Sequence, residues 1–398
     1  MVKKTYLEKA TLADASKRWF DAVEQAGCFQ SNTETIPTLE AFERITAKAI
    51  TAIRAVPHVK TSAMDGIAVR AAETVKARID QALVLERDKD FIQVDTGDPL
   101  PEDCDSVIMV EDLDFLDQNT VEIRKSSFPN QHVRPLGEDF LESATVIAAH
   151  QVLTPEAIAA CLASGNATVN AIQTPKVLVI PTGSELADPL GKIPAEKYPE
   201  TNSALFRGYL NRWKAEPTIH PLIEDDEALI KDVVAKGLDH HDMILINAGT
   251  SKGREDFTTQ IIEAFGEVLV HGVSMHPGHP VVLGVIQNKP VIGVPGYPVA
   301  TWVTLQQFVL PFLEKYYGCQ LQPHHTVKAK LDKKVYSSIG EIEFIRIRLE
   351  ETESGLVAHQ IAGKASALSS LINANGILQV PEAVSGYPQG EAVDVLLL

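Results

Sequence analysis

From residue 176 to 317 short apolar runs alternate with polar loops and with segments whose apolar residues recur at helical spacing. The strand-like "KVLVI" leads into the loop "PTGSEL" and the helical "NSALFRGYLNRWKA". The series continues with "PTIHPLI", the acidic turn "EDD", the helical "EALIKDVVAKGL" and the strand "MILIN". Strands and helices alternating at these lengths predict parallel crossovers, hence a doubly wound α/β sheet covered on both faces. The flanks differ. Leu12, Ala15, Trp19, Val23 and Ala26 are spaced like one helix face, and helical patterns are read over 35–54 and 154–164. Residues 57–142 are broken into short strand-like runs and turns, and 321–398 alternates in "EIEFIRIRLE" and "EAVDVLLL". The expected organisation is multidomain α/β. An elongated helical domain of residues 1–55 and 143–174 carries an inserted β domain at 56–142, followed by the doubly wound domain at 175–320 and a C-terminal β domain at 321–398.

Composition narrows the classes of function. The 398 residues are 45% hydrophobic and 22% charged, an ordinary globular balance with room for several cores. No stretch approaches the ~20 apolar residues of a membrane span, and the N-terminal stretch lacks the apolar core of a signal peptide, so a cytoplasmic protein without a membrane partner is expected. Cys28, Cys104, Cys161 and Cys319 are far apart, without metal-ligand spacing, and are expected to be reduced and buried. A formal net charge of −17 opposes broad nucleic-acid binding, so any anionic ligand needs a local cation.

Parallel α/β sheets place ligands outside the carboxyl ends of their strands. Three loops fall there: "PTGSEL", "EDD" and "NAGTSKGRED". In the last, Gly249 and Gly253 bracket Ser251 and Lys252 between a strand and a helix that starts on acidic residues. Such a loop can cradle a phosphate on converging backbone N–H groups, or it can simply join strand to helix.

Several stretches in fixed order carry more than any one loop. They are "TSAMDGIAV" (61–69), "TGDPLPEDCDSVIMVED" (96–112), "RPLGED" (134–139), "PTGSEL" (181–186), "TNSALF" (201–206), "NAGTSKGREDF" (247–257), "MHPGHPVVLG" (275–284) and "VPGYPVA" (294–300). The succession resembles the MoeA family of molybdopterin molybdenumtransferases along nearly the whole chain. The resemblance implies a homodimer of four-domain subunits whose doubly wound, MogA-like domain is shared with the molybdopterin adenylyltransferases, with the site shared between subunits. It implies adenylylated molybdopterin and molybdate as substrates, Mg²⁺ as cofactor and AMP as a product. An adenylyltransferase acts upstream and molybdoenzymes receive the product downstream. Tungstate, also a tetrahedral dianion, is not distinguished from molybdate.

Carried over by position, Asp65 and Thr96 face the cleft and Asp139 ends the "GED" element. Glu185, Asp225 and Asp256 form the acidic set at the strand ends. Carboxylates beside a phosphate suit an intervening Mg²⁺, so these three are the metal candidates and, with Asp65, the catalytic ones. Equally, Asp225 and Asp256 suit helix N-termini on their own account. Arg346 and Ser366 match positions near the oxyanion, and Pro295, Gly296 and Pro298 a rigid turn beside the pterin. Three departures stand out. "HPGHP" puts His276 and His279 where the family shows two lysines, and His, with a reference pKa of about 6.5, is cationic only when protonated. The Gly-rich loop has exchanged a glycine for Lys252, and Tyr297 adds an aromatic ring to the turn. Two readings follow: a molybdenumtransferase, favoured by the retained carboxylates, and a binding or delivery module without turnover, favoured by the lost lysines.

Overall fold

A computed structural model describes residues 10–248, 255–353 and 355–398. The chain forms two compact units, one of residues 33–172 and one that joins the N-terminal helix to residues 173–398.

In the second unit the apolar runs assemble into a six-stranded sheet. Its spatial order is Glu216–Ile219, Lys176–Pro181, Met243–Ala248, Lys289–Pro295, Val282–Ile286, Gly266–His271. The first four strands are parallel and the last two join by antiparallel pairing. Val177–Ile180, Met243–Ile246 and Val291–Val294 are buried, as strands covered on both faces must be. Helices Glu227–Leu238 and Glu255–Phe265 supply Ile230, Val234, Ile261 and Ile262 to the same core. The chain leaves Lys176–Pro181 toward Glu216–Ile219, then returns to the other side for Met243–Ala248. That reversal makes the carboxyl ends of Lys176–Pro181 and Met243–Ala248 the switch point of the sheet, the place where such sheets take ligands.

Residues 321–398 form a closed barrel. Strands Ile342–Thr352, Gly355–Gln360, Thr326–Leu331, Ala392–Leu397 and Gly376–Val380 pair in that order, and the last pairs back to the first. Met275–His276, from the loop after the α/β sheet's edge strand, adds to Ile342–Thr352 in parallel, with His276 opposite Glu343.

Helix Leu12–Gln25, capped by the Thr11 hydroxyl accepting from the Asp14 N–H, forms where its spacing predicts. It joins the α/β unit rather than residues 143–174. Trp19 is fully buried against Phe308 and Phe312, and its indole N–H donates to the Gly284 carbonyl at 3.3 Å.

The unit of residues 33–172 corrects a second expectation. Residues 35–54 hold no α-helix. Thr33–Pro37 is a strand paired antiparallel with Thr168–Ile172, followed by a single 3₁₀ turn at Thr38–Glu40. A partner strand some 130 positions away overrides the local period, and Pro37 cannot donate within a helix. Helix Pro155–Ala163 forms as expected. Between them, Gly66–Val69 pairs with Phe91–Val94 and Ser106–Met109, and Thr120–Ile123 with Leu83–Glu86 and Asp114–Phe115, over one shared core. All four cysteines are free, but only Cys161 is buried; the others are half-buried. Among the described residues no helix is long and apolar enough to cross a membrane.

Candidate functional site

Two of the acidic candidates lie on loops that are joined at the sheet's carboxyl ends. The Asp225 carboxylate accepts from the Ser184 backbone N–H at 2.6 Å, and the Ser184 hydroxyl accepts from the Asp225 N–H at 3.2 Å. Asp225 thus ties the loop after Glu216–Ile219 to the loop after Lys176–Pro181, which carries Glu185. The helix at 227–238 takes its cap from Asp226, whose carboxylate accepts from Ala228 and Leu229 at 2.8 and 3.1 Å. The plain helix-start role therefore belongs to Asp226 and not to Asp225. Gly183 keeps the loop tight: a Cβ there would lie 2.9 Å from Leu186 side-chain carbons and 3.2 Å from a Glu185 carboxylate oxygen.

Beneath this end lies a polar network that sequence reasoning did not single out. Asn247 donates through Nδ2 to the carbonyls of Val294 and Pro295 at 3.1 and 3.2 Å. Asn202 donates through Nδ2 to Asn247 Oδ1 at 3.0 Å and to the Gly296 carbonyl at 2.7 Å. The Thr301 hydroxyl donates to the Pro295 carbonyl at 2.7 Å. Pro295, Gly296 and Pro298 thus sit in a turn fixed from two sides, with Tyr297 half-exposed between them. "TNSALF" was legible as a motif, but the burial that gives Asn202 its role was not.

A cationic group lies at the junction with the barrel. Arg346 is buried, 7% exposed, on Ile342–Thr352. Its guanidinium donates to the Ser370 hydroxyl and the Phe344 carbonyl, each at 3.3 Å, and to the Gly363 carbonyl. Burial pushes the guanidinium below its ordinary value and the Glu343 charge opposes this. His276 Nδ1 lies 3.5 Å from a Glu343 carboxylate oxygen. His279 Nδ1 is 2.7 Å from the Val273 carbonyl, which can only accept; Nδ1 therefore carries the proton, and Nε2 donates to a ligand only in the imidazolium form. Ser366 is exposed on the segment that Arg346 anchors, and the neighbouring Ala365 carbonyl accepts from the Val299 N–H at 2.9 Å, beside Pro298. Ser370, which holds Arg346, was missed because its role depends on a fold-back of 24 residues.

In the unit of residues 33–172, Asp65 and Thr96 form one device. An Asp65 carboxylate oxygen accepts from the Thr96 N–H at 2.6 Å and from its hydroxyl at 2.8 Å. These bonds, the backbone one foremost, hold the exposed carboxyl below the usual value. Asp139 lies on a turn whose backbone N–H donates to the Val56 carbonyl at 2.9 Å.

Gly249, Ser251, Lys252 and Gly253 lie outside the described residues. Asp256 falls in helix Glu255–Phe265, but its side chain is likewise outside them. Among the described residues no three His, Cys, Asp or Glu gather into a metal site.

The fold and these loops define a class: a multidomain α/β protein with a molybdopterin-binding-type domain between N- and C-terminal domains. Three family models match in succession: the MoeA N-terminal region (domains I and II) over residues 10–165, a probable molybdopterin binding domain over 178–315, and the MoeA C-terminal region (domain IV) over 328–398. The chain belongs to the MoeA family. It is similar to a molybdopterin molybdenumtransferase of Haemophilus influenzae, 27% identical over 92% of this chain and 94% of that one, and to one of Staphylococcus aureus, 27% identical over 91% and 90%. Among solved structures, a molybdopterin biosynthesis MoeA protein of Pyrococcus horikoshii superposes with a TM-score of 0.82 at 28% identity, covering 98% of this chain and 99% of that one. The chain is accordingly a transferase with a role in molybdenum cofactor biosynthesis.

Proposed function

We propose that this transferase inserts molybdate into adenylylated molybdopterin and releases AMP. The observation that carries the reading is the presence, in one unit, of acidic loops tied together at the sheet ends and of a buried guanidinium at the barrel junction. Mg²⁺ is usually bound by one or two carboxylates together with substrate phosphates, so Glu185 and Asp225 on adjoining loops fit it, with Asp256 as a third candidate. When bound, the ion supplies Lewis-acid polarisation at the pyrophosphate link. The chain's own contribution is positional. Asp225 and Ser184 hold two loops in register, and the turn Pro295–Pro298 offers a rigid wall for the pterin. Arg346, with Ser366 and the protonated forms of His276 and His279, suits a tetrahedral oxyanion.

In this reading the carboxylate of Asp65, kept charged by Thr96, belongs to the same reaction, with Asp139 and Thr96 facing the ligand. The Gly249–Gly253 loop takes the phosphate side, and Lys252 compensates for the family's missing lysines. The protein works in the cytoplasm as a homodimer that shares its site between subunits, receives its substrate from an adenylyltransferase and supplies molybdoenzymes. The deciding experiment is AMP release from adenylylated molybdopterin with Mg²⁺ and molybdate. Tight binding without release assigns the chain to delivery, the reading that the two histidines favour. Mixing inactive Asp65→Asn and Glu185→Gln proteins tests the shared site: recovered activity supports it, and none excludes it.

A further inference from the structure

Asn202 has one feature that its role in the turn does not use. Its orientation is fixed by logic as well as by distance. Asn247 faces two carbonyls through Nδ2, so its Oδ1 is the acceptor presented to Asn202. Asn202 must therefore turn Nδ2 toward that oxygen and the Gly296 carbonyl. Its own Oδ1, the other limb of the same amide, is buried and has no hydrogen-bond partner among the described residues, in a residue only 6% exposed. A buried amide oxygen without a partner is destabilising, and such atoms are rare in folded proteins. The partners of Asn202 place it where strands Met243–Ala248 and Lys289–Pro295 end, at the carboxyl end of the sheet.

We propose that Asn202 Oδ1 is a ligand-reading atom. It accepts one hydrogen bond from an uncharged donor on the bound substrate, a ring N–H or amino group or a sugar hydroxyl. An amide oxygen can only accept, so it repels a deprotonated phosphate and cannot serve the anionic part of the ligand. Asn202 thereby sets the register of the ligand's neutral portion against the tied acidic loops, while its Nδ2 keeps the turn in place. The inference rests on the reading that a pterin nucleotide binds here.

The test is a cycle between protein and ligand. Affinities of AMP, 2′-deoxy-AMP, 3′-deoxy-AMP and molybdopterin are measured by calorimetry on the natural protein and on Asn202→Leu, which keeps the size and removes the acceptor. If a sugar hydroxyl is read, AMP loses about tenfold on substitution and one deoxy analogue loses nothing further. If the pterin ring is read, AMP is unchanged and molybdopterin loses about tenfold. Unchanged affinities for all four on a folded variant overturn the inference and leave Oδ1 to a buried water. Should Asn202→Leu not fold, a crystal structure of the natural protein with AMP and with molybdopterin decides. A ligand donor within hydrogen-bond distance of Oδ1 sustains the proposal, and a water or protein group there overturns it. Failure of the natural protein to bind either ligand instead overturns the functional reading itself.

Discussion

The loops at the sheet's carboxyl ends and the junction with the barrel solve opposite electrostatic problems. At the sheet ends, the partly exposed Asp225 carboxylate is fixed by the Ser184 N–H on the loop that carries Glu185, so acidic side chains gather there. At the junction a guanidinium is buried among neutral oxygens of Gly363, Phe344 and Ser370, and the acid of Glu343 stands beside His276 rather than on Arg346. One region gathers acceptors for a cation, and the other holds a cation short of counter-charge. The difference teaches that charge sign is distributed by element: loops after parallel strands supply acids, and a barrel strand with its fold-back supplies the base. A chain of net charge −17 therefore still holds a buried local cation.

The largest effect is expected on the acidic side. Asp225→Asn keeps an acceptor for the Ser184 N–H and removes the charge, so the protein should fold as before while AMP release falls on the order of 100-fold, with nucleotide affinity little changed. Asp256→Asn should behave alike. A variant that keeps its turnover would reduce Asp225 to a tie between loops. On the cationic side, Arg346→Ala should weaken molybdate binding by about tenfold and lower unfolding stability by about 1–3 kcal/mol, because Gly363 and Ser370 lose their donor. Arg346→Lys should rescue part of the stability and less of the binding, since a point charge cannot reach several oxygens at once. Chemical denaturation and calorimetry separate the two losses.

The histidines give a smaller contrast. Because Nδ1 of His279 is committed to Val273, the neutral ring offers molybdate no donor at Nε2. His276→Lys with His279→Lys should therefore raise molybdate affinity severalfold, and an unchanged affinity would remove both residues from the site. Smallest is Thr96→Val, which keeps the backbone bond to Asp65 and loses the hydroxyl one. The Asp65 carboxyl, depressed in the folded protein, should move partway back toward its ordinary value in an NMR titration. Sign follows from the depression: the contribution of Asp65 to stability is present above the unfolded value and is lost as pH falls through the folded one.

Much of this contrast was readable from residues alone. The α/β alternation was legible because strands such as Val177–Ile180 are apolar on both faces and too short to be helices, so that pattern and partner agree. The run at 35–54 was misread because its first residues pair with Thr168–Ile172, far along the chain, and no local period reports that. Trp19 fitted its helix face, yet nothing local says that the face packs on Phe308 and Phe312. Among the candidate residues, Glu185, Asp225 and Arg346 were singled out through their motifs. Asn202, Asn247 and Ser370 were not, since each acts through burial and a bond to a distant carbonyl or guanidinium.

The sixth strand of the barrel sheet, Met275–His276, constrains what length changes the gene can tolerate. Ile342 and Glu343 pair with Met275 and His276 on one edge, and Glu343–Ile347 with Gly376–Val380 on the other, with alternate side chains committed to opposite faces. Inserting or deleting one residue between Ile342 and Arg346 would exchange inside for outside and carry the guanidinium out of its pocket. The same change after Thr352, where the hairpin turns, would leave every one of those pairings intact. Relatives are thus free to differ in length at the hairpin but bound to keep the count from His276's neighbour Glu343 to Arg346.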